Sequence, residues 1–187
     1  MATQDPTSAE TGAPDSEPSS RTRIVRSQDR RVVDFASFGV EFLIWAEETG
    51  GRFSLVEHPI PPRTLVAPLH RHASEDEYSL VLEGRMGARL GEETVIAERG
   101  DVVFKPRGQW HTFWNAGDTP CRVLEIISPG GFEHLFREMS EDPDAMVGET
   151  AAALDARYSL EVDYDSVGWL CETHGLAFPA GDDSSDP

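Results

Sequence analysis

Positive charge is what this sequence has least of. Its 187 residues carry 34 acidic side chains against 16 basic ones, a formal net charge of −18, and a single lysine, Lys105, stands among fifteen arginines. So acidic a surface excludes nucleic acid as a partner, because each phosphate would meet like charge. An anionic membrane surface is excluded on the same ground, and solubility is the simplest use of the acidity. Arginine in place of lysine points to a high-GC bacterial source. Cysteine is almost as scarce. Cys121 and Cys171 lie fifty residues apart with no CxxC pair, which excludes a disulfide framework and a zinc knuckle and leaves two buried thiols. No positive segment precedes an apolar run near the N-terminus, and no stretch is apolar enough to span a bilayer, so a soluble, cytoplasmic protein is expected. There is no internal repeat, no glycine-rich phosphate loop and no Gly-x-Ser-x-Gly elbow.

The two ends lack large apolar side chains. Residues 1–20 and 179–187 are rich in Pro, Ser, Thr, Ala and acid, and such segments bury too little surface to offset the entropy of ordering. Both are expected to be disordered tails. Between residues 21 and 130 short alternating runs recur. Val40, Phe42, Ile44 and Ala46 share one face, Glu48-Thr49-Gly50-Gly51 supplies a turn, and Phe53, Leu55 and Glu57 alternate on the return, predicting a hairpin. The cluster Pro59-Ile60-Pro61-Pro62 should then stop the ladder, since proline lacks the donor a central strand needs.

Seven further runs follow: 65–70, 77–82, 86–90, 94–97, 101–105, 111–114 and 122–127, punctuated by Gly84, Gly91, Gly100, Gly108 and Gly117. Many short strands with no helical pattern between them predict an all-β sandwich or barrel. After Gly131 the period changes. Phe132, Leu135, Phe136 and Met139 lie on one helical face, residues 149–158 form an alanine-rich helix, and Asp165 can cap a last helix carrying Val167, Leu170, Cys171 and His174, stopped by Gly175. Residues 131–178 are therefore expected to form a C-terminal helical extension, packed on the barrel or across a subunit interface.

One stretch, 68–115, carries the chemistry. In a strand, residues i and i+2 share a face, so His70 and His72 point together and Arg71 points away. The acidic turn Ser74-Glu75-Asp76 leaves Glu77 at the head of the next strand, and Pro106-Arg107-Gly108 delivers His111 from a second hairpin. Three imidazoles and a carboxylate converging inside a barrel make a mononuclear metal site with coordination positions left open. Glu75 and Asp76 are rival carboxylates but read more simply as a solvated turn. Phe113, on the face of His111, and Glu125, in mid-strand, are candidate pocket-lining groups, with core packing and a surface charge as the simpler alternatives. His58 and His174 read as ordinary histidines, and Trp45, Trp110 and Trp114 as core.

This stretch resembles the cupin family. His70-x-His72-x4-Glu77-x6-Gly84 is similar to its first motif, and Gly100-x5-Pro106-x-Gly108-x2-His111-x3-Asn115 to its second, with 15 residues between them as in single-domain microbial cupins. The first motif usually begins with a glycine six residues before the first histidine, where this chain has Thr64. The resemblance implies a jelly-roll barrel (a double-stranded β-helix) and one divalent ion, iron, manganese, nickel, cobalt or zinc, held by His70, His72, Glu77 and His111. It further implies an oxygenase of the quercetin dioxygenase-like group, acting on a small enolic or aromatic molecule whose proton Glu77 accepts. The same motifs also occur in isomerases, cyclases and small-ligand binders without turnover, and dimerisation through an N-terminal strand is the family's habit.

Overall fold

The structure, a computed structural model, describes residues 24–35, 38–142, 145 and 148–178; the tails expected at 1–20 and 179–187 fall outside them. Eleven strands and three α-helices follow one another among the described residues. Strands β1 (Arg31–Asp34), β2 (Gly39–Ile44), β3 (Ser54–Ile60), β5 (Asp76–Glu83), β8 (Val102–Lys105) and β10 (Cys121–Ser128) form one antiparallel sheet, in the order β1-β2-β3-β10-β5-β8. The second sheet contains β4 (Leu69–His72), β6 (Arg85–Leu90), β7 (Glu93–Glu98), β9 (His111–Asn115) and β11 (Leu160–Asp163), in the order β11-β4-β9-β6-β7. The chain thus has the expected all-β jelly-roll, with α1 (Glu133–Glu141), α2 (Gly148–Arg157) and α3 (Ser166–His174) in a C-terminal helical part.

Alternation decides what each sheet buries. Along β10 every second residue is buried, so Cys121, Val123, Glu125 and Ile127 point inward while Arg122, Leu124 and Ile126 point out. Val40, Phe42, Val56, Ile60, Val81, Met86, Val103 and Phe113 meet these inward residues in the main core. Removing such side chains from water is the main drive for closing the two sheets. Gly87 is required where it stands. It pairs across the strands with Trp114, and a Cβ at this position would lie 2.2 Å from the indole Nε1.

Three expectations need correction. The ladder does not stop at Pro59, because β3 runs on to Ile60 with Pro59 opposite Arg122 of β10. On the other flank the β2 register ends at Glu57, so the missing amide costs no ladder bond. The strand expected at 65–70 instead spans Leu69–His72, with Thr64 and Leu65 reduced to isolated bridges. Asp165 holds the N-cap position of α3 but makes no side-chain cap bond there; Ser166 does the fastening, donating to the Asp163 carbonyl and accepting from the Leu69 amide.

The helical part is stitched into the barrel. Helix α1 and Phe132 at its N-cap bring Phe132, Leu135 and Phe136 to the main core, and the buried Glu133 of the helix accepts the amides of Ala46 and Gly131, each at 2.7 Å. Helix α3 places Leu170 against Leu65 and Trp114, while His174 stacks on the Trp114 ring at 4.4 Å. A strand that periodicity did not single out, β11, pairs with β4 so that Leu160 faces His72 and Val162 faces His70. The extension therefore holds the strand that carries two of the candidate ligands.

Candidate metal centre

His70 and His72 leave β4 on its inner face, Glu77 opens β5, and His111 opens β9 directly opposite His70. One donor atom from each of the four lies within 4.8 Å of the others, and all four side chains are buried. The turn that delivers His111 is locked from two sides. Arg107 donates its backbone amide, Nε and Nη2 to Asp76 at 2.8–3.0 Å, and the Gly108 amide donates to the His72 carbonyl at 2.7 Å. Gly108 has φ +76°, a conformation that side chains rarely adopt, so the glycine is dictated by the turn. Asp76 is thus a structural clamp rather than a solvated turn residue. Glu75 is also drawn in, with one carboxylate oxygen buried 3.7 Å from Nδ1 of His72.

Two of the three imidazoles are oriented from behind. Nδ1 of His70 lies 2.8 Å from the Pro68 carbonyl, and Nδ1 of His111 lies 3.0 Å from the Gln109 carbonyl. Only a protonated Nδ1 can satisfy a carbonyl, which leaves Nε2 of His70 and His111 as the ring atom available to an ion. Nε2 of His111 then lies 3.2 Å from Oε2 of Glu77, and Nε2 of His72 lies 3.3 Å from Oε1, neither making a hydrogen bond. Burial holds the His72 ring near a pKa of about 4 and His70 well below its ordinary value, so both rings are neutral at physiological pH. Four buried potential ligand atoms converging on one point are an arrangement that a cation satisfies. The donor set therefore fits a divalent transition metal ion.

Behind the cluster lies a residue that pattern reading passed over. Lys105, the single lysine of the chain, is 0% exposed, with Nζ 2.7 Å from Oε2 of Glu77 and 3.0 Å from Oε1 of Glu125. Its ammonium also sits 4.5 Å from the Phe113 ring centroid, within cation–π range. Glu125 points inward rather than to the surface and accepts from the Ser79 hydroxyl at 2.9 Å. Although burial lowers Lys105, the two carboxylates outweigh it and raise its pKa; although burial raises Glu77, Lys105 and the imidazoles hold it well below the usual range. Burial pushes Glu125 up, while the Lys105 ammonium and the Ser79 hydroxyl pull it back toward the ionised form. The available signal was the alternation of β8, which turns Val103 and Lys105 inward and Val102 and Phe104 outward.

Aromatic rings lie on one side of the centre. Phe132 packs edge-on against His72 at 4.3 Å, Phe136 follows Phe132 at 5.6 Å, and Phe113 lies 6.0 Å from His58. His58 stands outside the cluster. It lies in the core between Phe38, Phe113 and Phe136, with Nδ1 3.1 Å from the Gly39 carbonyl. Trp114 is core as expected, whereas Trp45 and Trp110 are only half-buried. Asn115, the last motif position, is structural. Its amide donates to the carbonyls of Ile60, Pro61 and Thr119 and its oxygen accepts from the Gly117 amide. Thr64, where a glycine is usual, bridges to Ala177 of the extension. A second acidic cluster, Glu47, Glu133 and His134, is a tie between elements, because both oxygens of Glu133 are already used by backbone amides.

Residues 57–127 match the Cupin domain family. An RmlC-like cupin from Shewanella frigidimarina superposes with a TM-score of 0.53 at 15% identity, covering 61% of this chain and 96% of that one. The barrel has the cupin fold. Among sequence relatives of the cupin barrel, a tetracenomycin polyketide synthase protein, TcmJ, from Streptomyces glaucescens is 40% identical over 60 residues, 32% of this chain and 40% of that protein. Oxidoreductase iacF from Pestalotiopsis fici is 44% identical over 48 residues, 25% of this chain and 24% of that protein. The chain thus spans less than half the length of these two curated relatives. No helix among the described residues is long and apolar enough to cross a membrane.

Proposed function

We propose that this protein is a metal-dependent cupin enzyme, an oxygenase acting on a small enolic or aromatic molecule. The observation that carries the reading is the convergence of three imidazoles, two of them oriented by backbone carbonyls, and one carboxylate within 4.8 Å inside the barrel. The ion held by His70, His72, Glu77 and His111 would supply Lewis acidity toward a substrate oxygen, and a redox-active ion would add oxygen chemistry. The relatives named as a polyketide synthase protein and an oxidoreductase support an enzyme over a binder.

The chain's own groups narrow the substrate. Phe113, Phe132 and Phe136 favour a flat, apolar molecule. Glu77 is the proton acceptor in this reading. With the Lys105 ammonium 2.7 Å away it is a weak base, ionised at neutral pH. A weak base suits an acidic hydroxyl, enol or phenol, rather than an unactivated C–H bond. A homodimer is part of the same proposal. Among the described residues strand β1 is an edge of its sheet, and the outer face of that sheet carries Val102 and Phe104 at 62% and 49% exposure.

The test is oxygen uptake by the iron-, manganese-, nickel-, cobalt- and zinc-loaded protein with a panel of enolic and phenolic compounds, in air and under anaerobiosis. Turnover that stops without oxygen supports the oxygenase. Turnover indifferent to oxygen would move the assignment to an isomerase or cyclase. Binding without turnover, unchanged in Glu77→Gln, would make the protein a ligand-binding cupin.

A further inference from the structure

Glu77 is the one candidate ligand whose side chain is shared with a buried cation. A lone ammonium beside a divalent ion would oppose binding by direct repulsion. Here the ammonium does not stand alone. Lys105 bridges Oε2 of Glu77 at 2.7 Å and Oε1 of Glu125 at 3.0 Å, and Glu125 is itself fixed by the Ser79 hydroxyl. Strand register enforces this chain of contacts, since Glu77 lies opposite Lys105 between β5 and β8, and Ser79 lies opposite Glu125 between β5 and β10. None of Lys105, Glu125 and Ser79 is a candidate metal ligand. Arginines are used at all fifteen other cationic positions, so a compact ammonium appears only where two carboxylates must be bridged inside the barrel.

We infer that Lys105 and Glu125 form a charge-neutral clamp on Glu77. Lys105 engages Oε2, so that the carboxylate is fixed in one orientation and offers Oε1 to the ion beside Nε2 of His72. Glu125 cancels the ammonium's charge, so that the clamp costs the ion little electrostatic attraction. Both are positioning residues, acting through Glu77. The inference rests on the metal-binding reading of His70, His72, Glu77 and His111.

The experiment titrates cobalt(II) into metal-free wild type, Glu125→Gln and the double variant Lys105→Met/Glu125→Gln, in competition with a chromophoric chelator, and records the visible d–d spectrum of each loaded protein. Glutamine keeps the acceptor for Ser79 and Lys105 but leaves the ammonium uncompensated, so Glu125→Gln is expected to bind cobalt(II) on the order of tenfold more weakly. Removing both charges is expected to bring affinity back to within about threefold of wild type. In that double variant Glu77 is unpinned and free to use both oxygens, so the d–d absorption should weaken as coordination number rises. A Glu125→Gln protein that matches wild type in affinity and spectrum, and differs only in Tm, would overturn the clamp and leave a purely structural ion pair. Weak binding that persists in the double variant would overturn the charge balance. If wild type itself binds no cobalt(II), the metal reading falls and takes the clamp with it.

Discussion

His58 should make the barrel acid-labile by a calculable amount. The imidazole is buried in β3 among Phe38, Phe113 and Phe136, and its Nδ1–H donates to the Gly39 carbonyl. Burial is the largest influence on it, and the nearby Lys105 charge acts in the same direction; the Gly39 bond and Glu77 oppose them, leaving a pKa of about 4. In the unfolded chain the same group takes up a proton near pH 6.5. Between those values the unfolded state binds a proton that the native state refuses, so stability is full above pH 6.5 and falls as pH drops toward 4. The gap is worth about 3 kcal/mol from this one residue. The assay is urea unfolding of the chelator-treated protein at pH 7.5 and pH 4.5, in wild type and in His58→Gln. Glutamine keeps an N–H donor for Gly39 but cannot titrate. The variant is expected to be less stable at pH 7.5, through imperfect packing, yet to lose about 2–3 kcal/mol less on acidification. His70 and His72, also held neutral by burial, contribute equally to both proteins and cancel in the difference. An identical acid loss in the two proteins would refute the burial argument.

Metal should stabilise the fold through the same residues that bind it. At free cobalt(II) or zinc(II) about 100 times Kd, linkage contributes about 2.7 kcal/mol, a rise in Tm of about 5–10 °C for a chain of this size; His111→Ala should show no rise, and a wild-type Tm indifferent to every ion tried would contradict the site. Gly87→Ala places a methyl group 2.2 Å from the Trp114 indole, which itself packs on Leu170 of α3. It is expected to cost about 2–3 kcal/mol by thermal or urea unfolding, and an effect under about 0.5 kcal/mol would show that the strand crossing yields easily. Light scattering after gel filtration should give twice the monomer mass, and Phe104→Glu together with Val102→Lys on the exposed outer face should lower it; a wild-type monomer would remove the dimer proposal.

Much of this protein was legible in its sequence because the relevant signals are local. The spacing of His70 and His72 is one strand period. The turn that brings His111 forward is written in Pro106 and Gly108, and Gly108 takes a positive φ that excludes most other residues. Alternation through residues 39–128 fixes which side chains face inward, and with them the all-β class. Short-range periodicity is a sufficient cause for each of these features.

What only the tertiary structure decided are the pairings between distant residues. Nothing near Lys105 in sequence announces that its ammonium meets Glu77 and Glu125 inside the barrel; that requires β5, β8 and β10 to be neighbours in one register. The four residues Leu160–Asp163 alternate too briefly to signal a strand, and they become one because β4 offers an open edge beside His70 and His72. Pro59 reads as a strand breaker until its vacant side is seen to lie past the end of the β2 register. A local pattern can say that a side chain faces inward. Which partner it meets there is set by sheet order, a property of the whole chain.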